Sequence, residues 1–184
     1  MLRPMRGGLS AHHGYLADHR VAVAQQGMSK TTPATLALTK TGVPFTVATY
    51  DYDAGAERVG LQAAEAMGVS PSIVLKTLMV EVDGKPACVV VPSDQEVNMK
   101  KVAAAFGGKA AQMMKPADAE RLTGFKVGGI SPFGQRKQVQ TAVEEMATLE
   151  DEIYLNGGQR GLQIRMRPDD LIAALGAKAA DLIR

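Results

Sequence analysis

The stretch Ile73-Val74-Leu75-Lys76-Thr77-Leu78-Met79-Val80 places a lysine in the middle of an apolar, β-branched run that reads as a strand. Alternation along such a strand puts Val74, Lys76, Leu78 and Val80 on one face and Ile73, Leu75, Thr77 and Met79 on the other. Both faces are then expected to meet packed protein. An ammonium there is costly unless it meets an anion or opens into a cavity. Two readings stay open from this stretch alone. Lys76 is a pocket lysine that holds a negatively charged substrate group or works as an acid or base with a shifted pKa, or it is an edge-strand lysine whose stem snorkels to water and blocks unwanted pairing.

The flanking sequence builds an α+β fold around that strand. Thr32-Pro33 opens a helix that Gly42 and Pro44 stop. Phe45 to Tyr50 alternates as a strand, and a helix is expected from about Val59 to Met67, closed by Gly68. Asp83-Gly84 signals a hairpin that returns the chain through Ala87 to Val91. Asn98 to Phe106 reads as a helix, a strand follows near Ala110, and Lys115-Pro116 opens a short helix closed around Gly124. Gly128-Gly129-Ile130-Ser131-Pro132-Phe133-Gly134 is too rich in glycine and proline for a regular element. Strands are expected near Gln138 to Val143, Glu152 to Leu155 and Leu162 to Met166, then a terminal helix from Pro168 that Gly176 interrupts. Helices and hairpins mixed without a βαβ repeat point to one α+β domain with a mixed, largely antiparallel sheet.

At 184 residues the chain is long enough for such a core without disulfides or a structural metal. Its first 27 residues lack a sustained helical or strand period and are expected to be an extension outside the fold, with the domain running over 28–184 and Met28 a candidate natural start. All three histidines, His12, His13 and His19, fall in that extension. The body therefore lacks the usual base of Ser-His-Asp and Cys-His mechanisms, and a zinc site would have only Cys88 plus carboxylates. Cys88 sits in the apolar run Ala87 to Val91 and reads as a small core residue, and a lone cysteine suits a reducing cytoplasm. Asp51, Asp53 and Glu57 form a short acidic loop that reads as solvated rather than as a cation site. Residues 98–137 carry Lys100, Lys101, Lys109, Lys115, Arg121, Lys126, Arg136 and Lys137 against Asp118 and Glu120, a bias that suits either a nucleic-acid backbone or an ordinary solvated face.

Two glycine-rich loops, Gly128-Gly129 and Gly157-Gly158 with Gly161, can bring backbone N–H groups close to an anion or a developing oxyanion, or simply turn the chain. Neither has the lysine and hydroxyl of a P-loop. Ser131, held extended by Pro132, can position a substrate without acting as a nucleophile.

Taken in order, Thr32-Pro33-Ala34, Thr49-Tyr50, Val74 to Leu78, Val127 to Gly134 and Gly157 to Leu162 resemble the YbaK family of aminoacyl-tRNA deacylases. The resemblance runs from about Thr31 to the C-terminus and covers spacing as well as motifs. It implies a barrel-like α+β domain related to the editing domain inserted in bacterial prolyl-tRNA synthetases, a cytoplasmic enzyme without cofactor or metal, and hydrolysis of mischarged tRNA with Cys-tRNA(Pro) the characteristic substrate. Aminoacylated tRNA(Pro) and prolyl-tRNA synthetase are the implied partners. In that family the lysine of the Lys-Thr pair is the essential pocket residue, which falls on Lys76. Tyr50, Thr77, Gly129 and Ser131 fall on pocket positions, with Gly128, Ile130, Gly157 and Gly158 beside them in the two loops. Lys100, Lys101 and Lys137 are the candidate tRNA contacts. Gln163 stands where relatives carry an aspartate, and Val59 where they carry a phenylalanine, which bears on how the amino acid is read.

An ester cut with no evident protein base, nucleophile or metal fits a substrate that supplies its own nucleophile, and a cysteinyl thiol can do so. The rivals are a deacylase for another small aminoacyl-tRNA such as Ala-tRNA(Pro) that orients a water, and a non-catalytic module binding tRNA or a synthetase. An intact Lys76 with both glycine loops favours catalysis, since a pure binder needs only the basic stretch.

Overall fold

The computed structural model describes residues 31–184, so the expected boundary after residue 27 lies outside the described residues. Thr32 caps the first helix, α1 (Pro33–Thr41), through a reciprocal box in which its Oγ1 accepts from Thr35 N while Thr35 Oγ1 accepts from Thr32 N. Strand β1 (Thr46–Thr49) and helix α2 (Val59–Met67) follow, then the lysine strand β2 (Val74–Val82) and its hairpin partner β3 (Lys85–Pro92). Asp83 and Gly84 both take positive φ, 48° and 77°, as a tight turn matched to strand twist requires. Next come α3 (Met99–Ala105), β4 (Ala111–Met113), α4 (Pro116–Thr123), β5 (Thr141–Glu144), β6 (Ile153–Asn156), β7 (Leu162–Met166), α5 (Pro168–Leu175) and β8 (Lys178–Ala180).

The strands form one mixed sheet in the order β1-β7-β6-β2-β3-β5-β8, with β4 added on β2. Pairs β1/β7, β6/β7, β2/β3 and β2/β4 are antiparallel, and β2/β6, β3/β5 and β5/β8 are parallel. The expected α+β architecture is thus the one observed. The strand expected at Gln138 to Val143 starts later, at Thr141, because only Thr141 to Val143 find partners on β3. Strand β8 has no strand-like signature in Lys178-Ala179-Ala180 and exists through its pairing with β5.

Alternation along β2 sorts the core as its sequence implies. Leu75 and Met79 enter a large cluster with Val90, Val143, Leu155 and Ile164, roofed by Ala34 and Leu38 of α1, Ala119 of α4 and Leu171 of α5. On the other face Val80 and Val82 pack with Val89, Val91, Val102 of α3 and Leu182, and Val74 packs under Ala63 and Ala64 of α2. Each fully buried valine or leucine contributes about 1.5–3 kcal/mol of transfer free energy. Lys76 interrupts the second face between Val74 and Val80, and there the packing opens.

Candidate active site

The opening is a gap in the sheet. Strand β6 pairs with β2 only at Val74 and Leu75, and β4 only from Val80 to Val82. On that side the edge of β2 at Lys76, Thr77 and Leu78 has no strand neighbour. A cleft of about 500 Å³ occupies the gap, bounded by the start of α2 (Arg58 to Leu61), the loop Ser93 to Glu96 after β3, and Gly128 and Ile130 of the irregular loop.

Lys76 is half-buried in this cleft. Its Nζ donates to the carbonyl of Gln95 at 2.6 Å and, more weakly, to that of Ser93 at 3.4 Å. Burial pushes its pKa below the usual lysine value and the Arg58 guanidinium adds to the shift, while Asp94 and Glu96 act against it. The ammonium is thus turned onto backbone carbonyls that line the cleft.

Register places Gln163 with it. Val74 stands opposite Tyr154, and Asn156 opposite Gln163, so Lys76, Asn156 and Gln163 belong to one face of three adjacent strands. Gln163 is 3% exposed, and its Oε1 has no hydrogen-bond partner among the described residues. The same holds for Thr77 Oγ1, Ser93 Oγ and Tyr50 Oη. Buried polar atoms without partners are rare, and three of the six such atoms among the described residues, those of Thr77, Ser93 and Gln163, line the cleft. Tyr50 stands behind the wall, packed on Ala63, Ala64 and Val74. Burial raises its phenol above the ordinary range.

The glycine loops divide. Gly128 and Ile130 line the cleft. Gly129 N–H is committed to the Lys126 carbonyl at 2.8 Å, and Gly129 borders a separate hollow with Gly158, Pro33, Phe125 and Arg160. Ser131 is fully buried and away from the cleft; its Oγ accepts from Phe133 N at 3.2 Å, and its carbonyl from Gln135 Nε2 at 3.0 Å. Gly157 and Gly158 do not form an anion nest. Gly157 N–H goes to the Leu162 carbonyl at 2.9 Å and Gly158 N–H to Asn156 Oδ1 at 2.7 Å. Their lack of a side chain serves packing, since a Cβ on Gly157 would lie 2.4 Å from Leu162 Cδ2 and one on Gly158 2.7 Å from Phe125 Cε1.

The sequence reading passed over several groups that hold the site. Val127, next to Gly128, is fixed at both ends, its N–H on Glu120 Oε1 at 3.0 Å and its carbonyl on Arg160 Nη2 at 2.6 Å. Arg160 also lies over the Tyr52 ring at 5.3 Å. Arg58, Ser93 and Gln95 carried no local signal; only the fold brings them to Lys76.

The three candidate tRNA lysines do not share one surface. Lys100 and Lys101 are on α3, over the Val80 face, whereas Lys137 follows α4, over the Met79 face, beside Arg121 and Arg136. Lys101 is also paired with Asp181 at 2.8 Å. Cys88 is fully buried with its thiol pushed up to about 12, as a core residue rather than a nucleophile. Among the described residues no cluster of three or more His, Cys, Asp or Glu side chains is placed to hold a metal, and no helix is long and apolar enough to cross a membrane.

Comparison with known proteins agrees with this geometry. The profile of the aminoacyl-tRNA editing domain matches residues 58–174. EbsC of Enterococcus faecalis, named for Cys-tRNA(Pro)/Cys-tRNA(Cys) deacylation, is 36% identical over 121 residues, 65% of this chain and 73% of that protein. The multifunctional Ser/Thr-tRNA deacylase ProXp-y of Escherichia coli is 24% identical over 140 residues, 73% of this chain and 81% of its own length. A crystal structure described as a trans-editing enzyme for prolyl-tRNA synthetase shares the fold, with a TM-score of 0.74 and 24% identity over 85% of this chain and 99% of its own. The chain belongs to the aminoacyl-tRNA editing domain family, as an aminoacyl-tRNA deacylase.

Proposed function

We propose that the protein edits in trans by deacylating mischarged tRNA(Pro), with Cys-tRNA(Pro) its main substrate and prolyl-tRNA synthetase the enzyme whose errors it clears. The observation that carries this reading is the Lys76 ammonium, held on the Ser93 and Gln95 carbonyls at the open edge of β2, in a cleft also lined by the unpartnered Thr77, Ser93 and Gln163 side chains. Two of its three donors are engaged, which leaves one for the terminal ribose or phosphate of the tRNA. Gln163 Oε1 and Thr77 Oγ1 are acceptors suited to the substrate's α-ammonium. No acceptor is found among the described residues for the N–H groups of Gly128 and Ile130, which supports them as the donors to the carbonyl oxygen as it gains charge.

The chemistry then belongs to the substrate. The cysteinyl thiol gives up its proton, and its sulfur attacks its own ester carbonyl. A C–S bond forms, the C–O bond to the ribose breaks, and the ribose oxygen takes up a proton. The products are free tRNA and a cyclic thiolactone that water opens. The catalytic residue is Lys76, and the enzyme works in the cytoplasm from residues 28–184, with 1–27 dispensable.

The test is single-turnover deacylation of Cys-tRNA(Pro) and Ser-tRNA(Pro), which differ by one atom. The cysteinyl ester should react orders of magnitude faster at comparable binding, since a hydroxyl is a far weaker nucleophile. Equal rates would replace the thiol by an oriented water. That second reading draws on Gln163, an uncharged amide on the cleft wall, and on the relative named for Ser/Thr-tRNA deacylation. It widens the substrate range to small residues such as the alanyl ester. Deleting residues 1–27 should leave melting temperature and rate unchanged, and a large fall in either would assign that segment to the domain.

A further inference from the structure

Glu144 is a carboxylate at the end of β5, only 1% exposed, that takes no part in the cleft. Its Oε2 accepts from Leu182 N at 2.7 Å and its Oε1 from Met146 N at 3.2 Å. Leu182, itself fully buried, turns its carbonyl the other way and accepts from Asn98 N at 2.8 Å. One residue later Ile183 bridges to Val97, and Arg184 N donates to the Glu96 carbonyl at 3.0 Å while its guanidinium pairs with the Glu96 carboxylate at 3.0 Å. Lys101 closes the stitch from the other side, on Asp181 and on the Ile183 carbonyl, both at 2.8 Å. Residues 181–184 thus lie as a strap across 96–98. The segment they hold begins at Ser93 and Gln95, whose carbonyls receive Lys76.

We infer that Glu144 is a positioning residue for Lys76, acting through the 181–184 strap that fixes the Ser93 to Glu96 loop. This rests on the reading of Lys76 as the catalytic residue. The loop contains no glycine, yet it has few anchors of its own: Ser93 N donates to the Val74 carbonyl at 2.8 Å and Gln95 N to the Pro92 carbonyl at 3.1 Å. Beyond Gln95 the anchors are the strap, on Glu96, Val97 and Asn98, and the cap that Asn98 makes on α3. A long, flexible lysine stem stays aimed only if its acceptors stay still, and a misplacement of about 1 Å is enough to cost about a hundredfold in rate.

The full-length protein is compared with Glu144→Gln, which keeps the volume but turns one acceptor oxygen into a donor, and with Asp181→Ala/Arg184→Ala, which removes only exposed ends of the strap. Two quantities are read: single-turnover kcat and KM on Cys-tRNA(Pro), and the rate of acetylation of Lys76 relative to exposed Lys100 by competitive labelling and mass spectrometry. Glu144→Gln should lower kcat about tenfold with KM within about twofold, and raise relative labelling of Lys76 about fivefold; the double variant should move both the same way by about threefold. A folded variant in which only one quantity moves, or neither, overturns the inference. Should Glu144→Gln fail to fold, the double variant decides alone. Full activity in Lys76→Ala would instead remove the reading of Lys76, and the labelling ratio would still report on the strap.

Discussion

Asn156 and Gly128 are joined by a hydrogen bond from the Asn156 amide to the Gly128 carbonyl at 3.2 Å, while the Asn156 Oδ1 takes the N–H groups of Gly158 and Gln159 at 2.7 and 3.1 Å. One side chain at the end of β6 therefore ties both glycine loops to the edge of the cleft. Asn156→Ala should lower stability by about 1–3 kcal/mol, because three part-buried hydrogen bonds to backbone groups are lost. It should also lower kcat more than it raises KM, because Gly128 is freed beside the reacting ester. A fall in stability with kcat intact would restrict Asn156 to a structural role.

Lys76 gives a signed dependence on pH. Its folded pKa lies below the ordinary 10.5, chiefly through burial. Between the lowered value and 10.5 the unfolded chain binds more protons than the folded one, so stability rises with pH in that window. Below it the full penalty of burying the ammonium is present. Lys76→Met should therefore fold, melt above wild type at pH 7, and lose this advantage as the pH approaches 10.5, while deacylation falls about a hundredfold or more. Melting curves from pH 7 to 10 check the first part; a difference that does not narrow would assign it to packing alone.

Gly134 has φ of 67°, and a Cβ there would stand 2.3 Å from the Pro33 carbonyl oxygen. Gly134→Ala should lower the melting temperature by about 5–10 °C, combining left-handed strain with a backbone clash at the start of α1. Gly42, with φ of 75° and nothing within 4 Å of its virtual Cβ, isolates the first effect. Gly42→Ala should cost about 1 kcal/mol. Equal losses in the two variants would show that the contact with Pro33 relaxes away.

The placement of the basic residues changes what charge removal should do. Lys100 lies on the sheet face that carries Lys76 and Arg58, and Lys137 on the opposite face. Lys100→Ala should raise KM for tRNA and flatten its salt dependence by about 0.7–0.9 in log–log slope, the value for one phosphate contact, with kcat unchanged. Lys137→Ala should alter neither. The reverse pattern would place the tRNA body over α4.

Much of the fold was legible because it rests on local rules. The cap at Thr32, the turn at Asp83-Gly84 and the two-sided alternation of β2 each follow from side-chain chemistry acting over a few residues, and each is found where the sequence puts it. Lys76 stood out for the same reason, as a charge in a strand with two packed faces. Short, weakly patterned β8 did not, since only pairing with β5 makes it a strand.

What the tertiary structure alone decided is which polar groups meet. Gln163, Ser93, Gln95 and Arg58 converge on Lys76 because β6 and β4 leave a gap along β2, and the lengths at which neighbouring strands stop pairing have no signature in any one of them. By the same rule Ser131, Gly157 and Gly158, read as site residues from their motifs, are drawn into turns and packing that the motifs also serve. Residue type sets what a group can donate, accept or bury; its distance from the cleft is set by contacts far away in the chain, and those exist only once the sheet has formed.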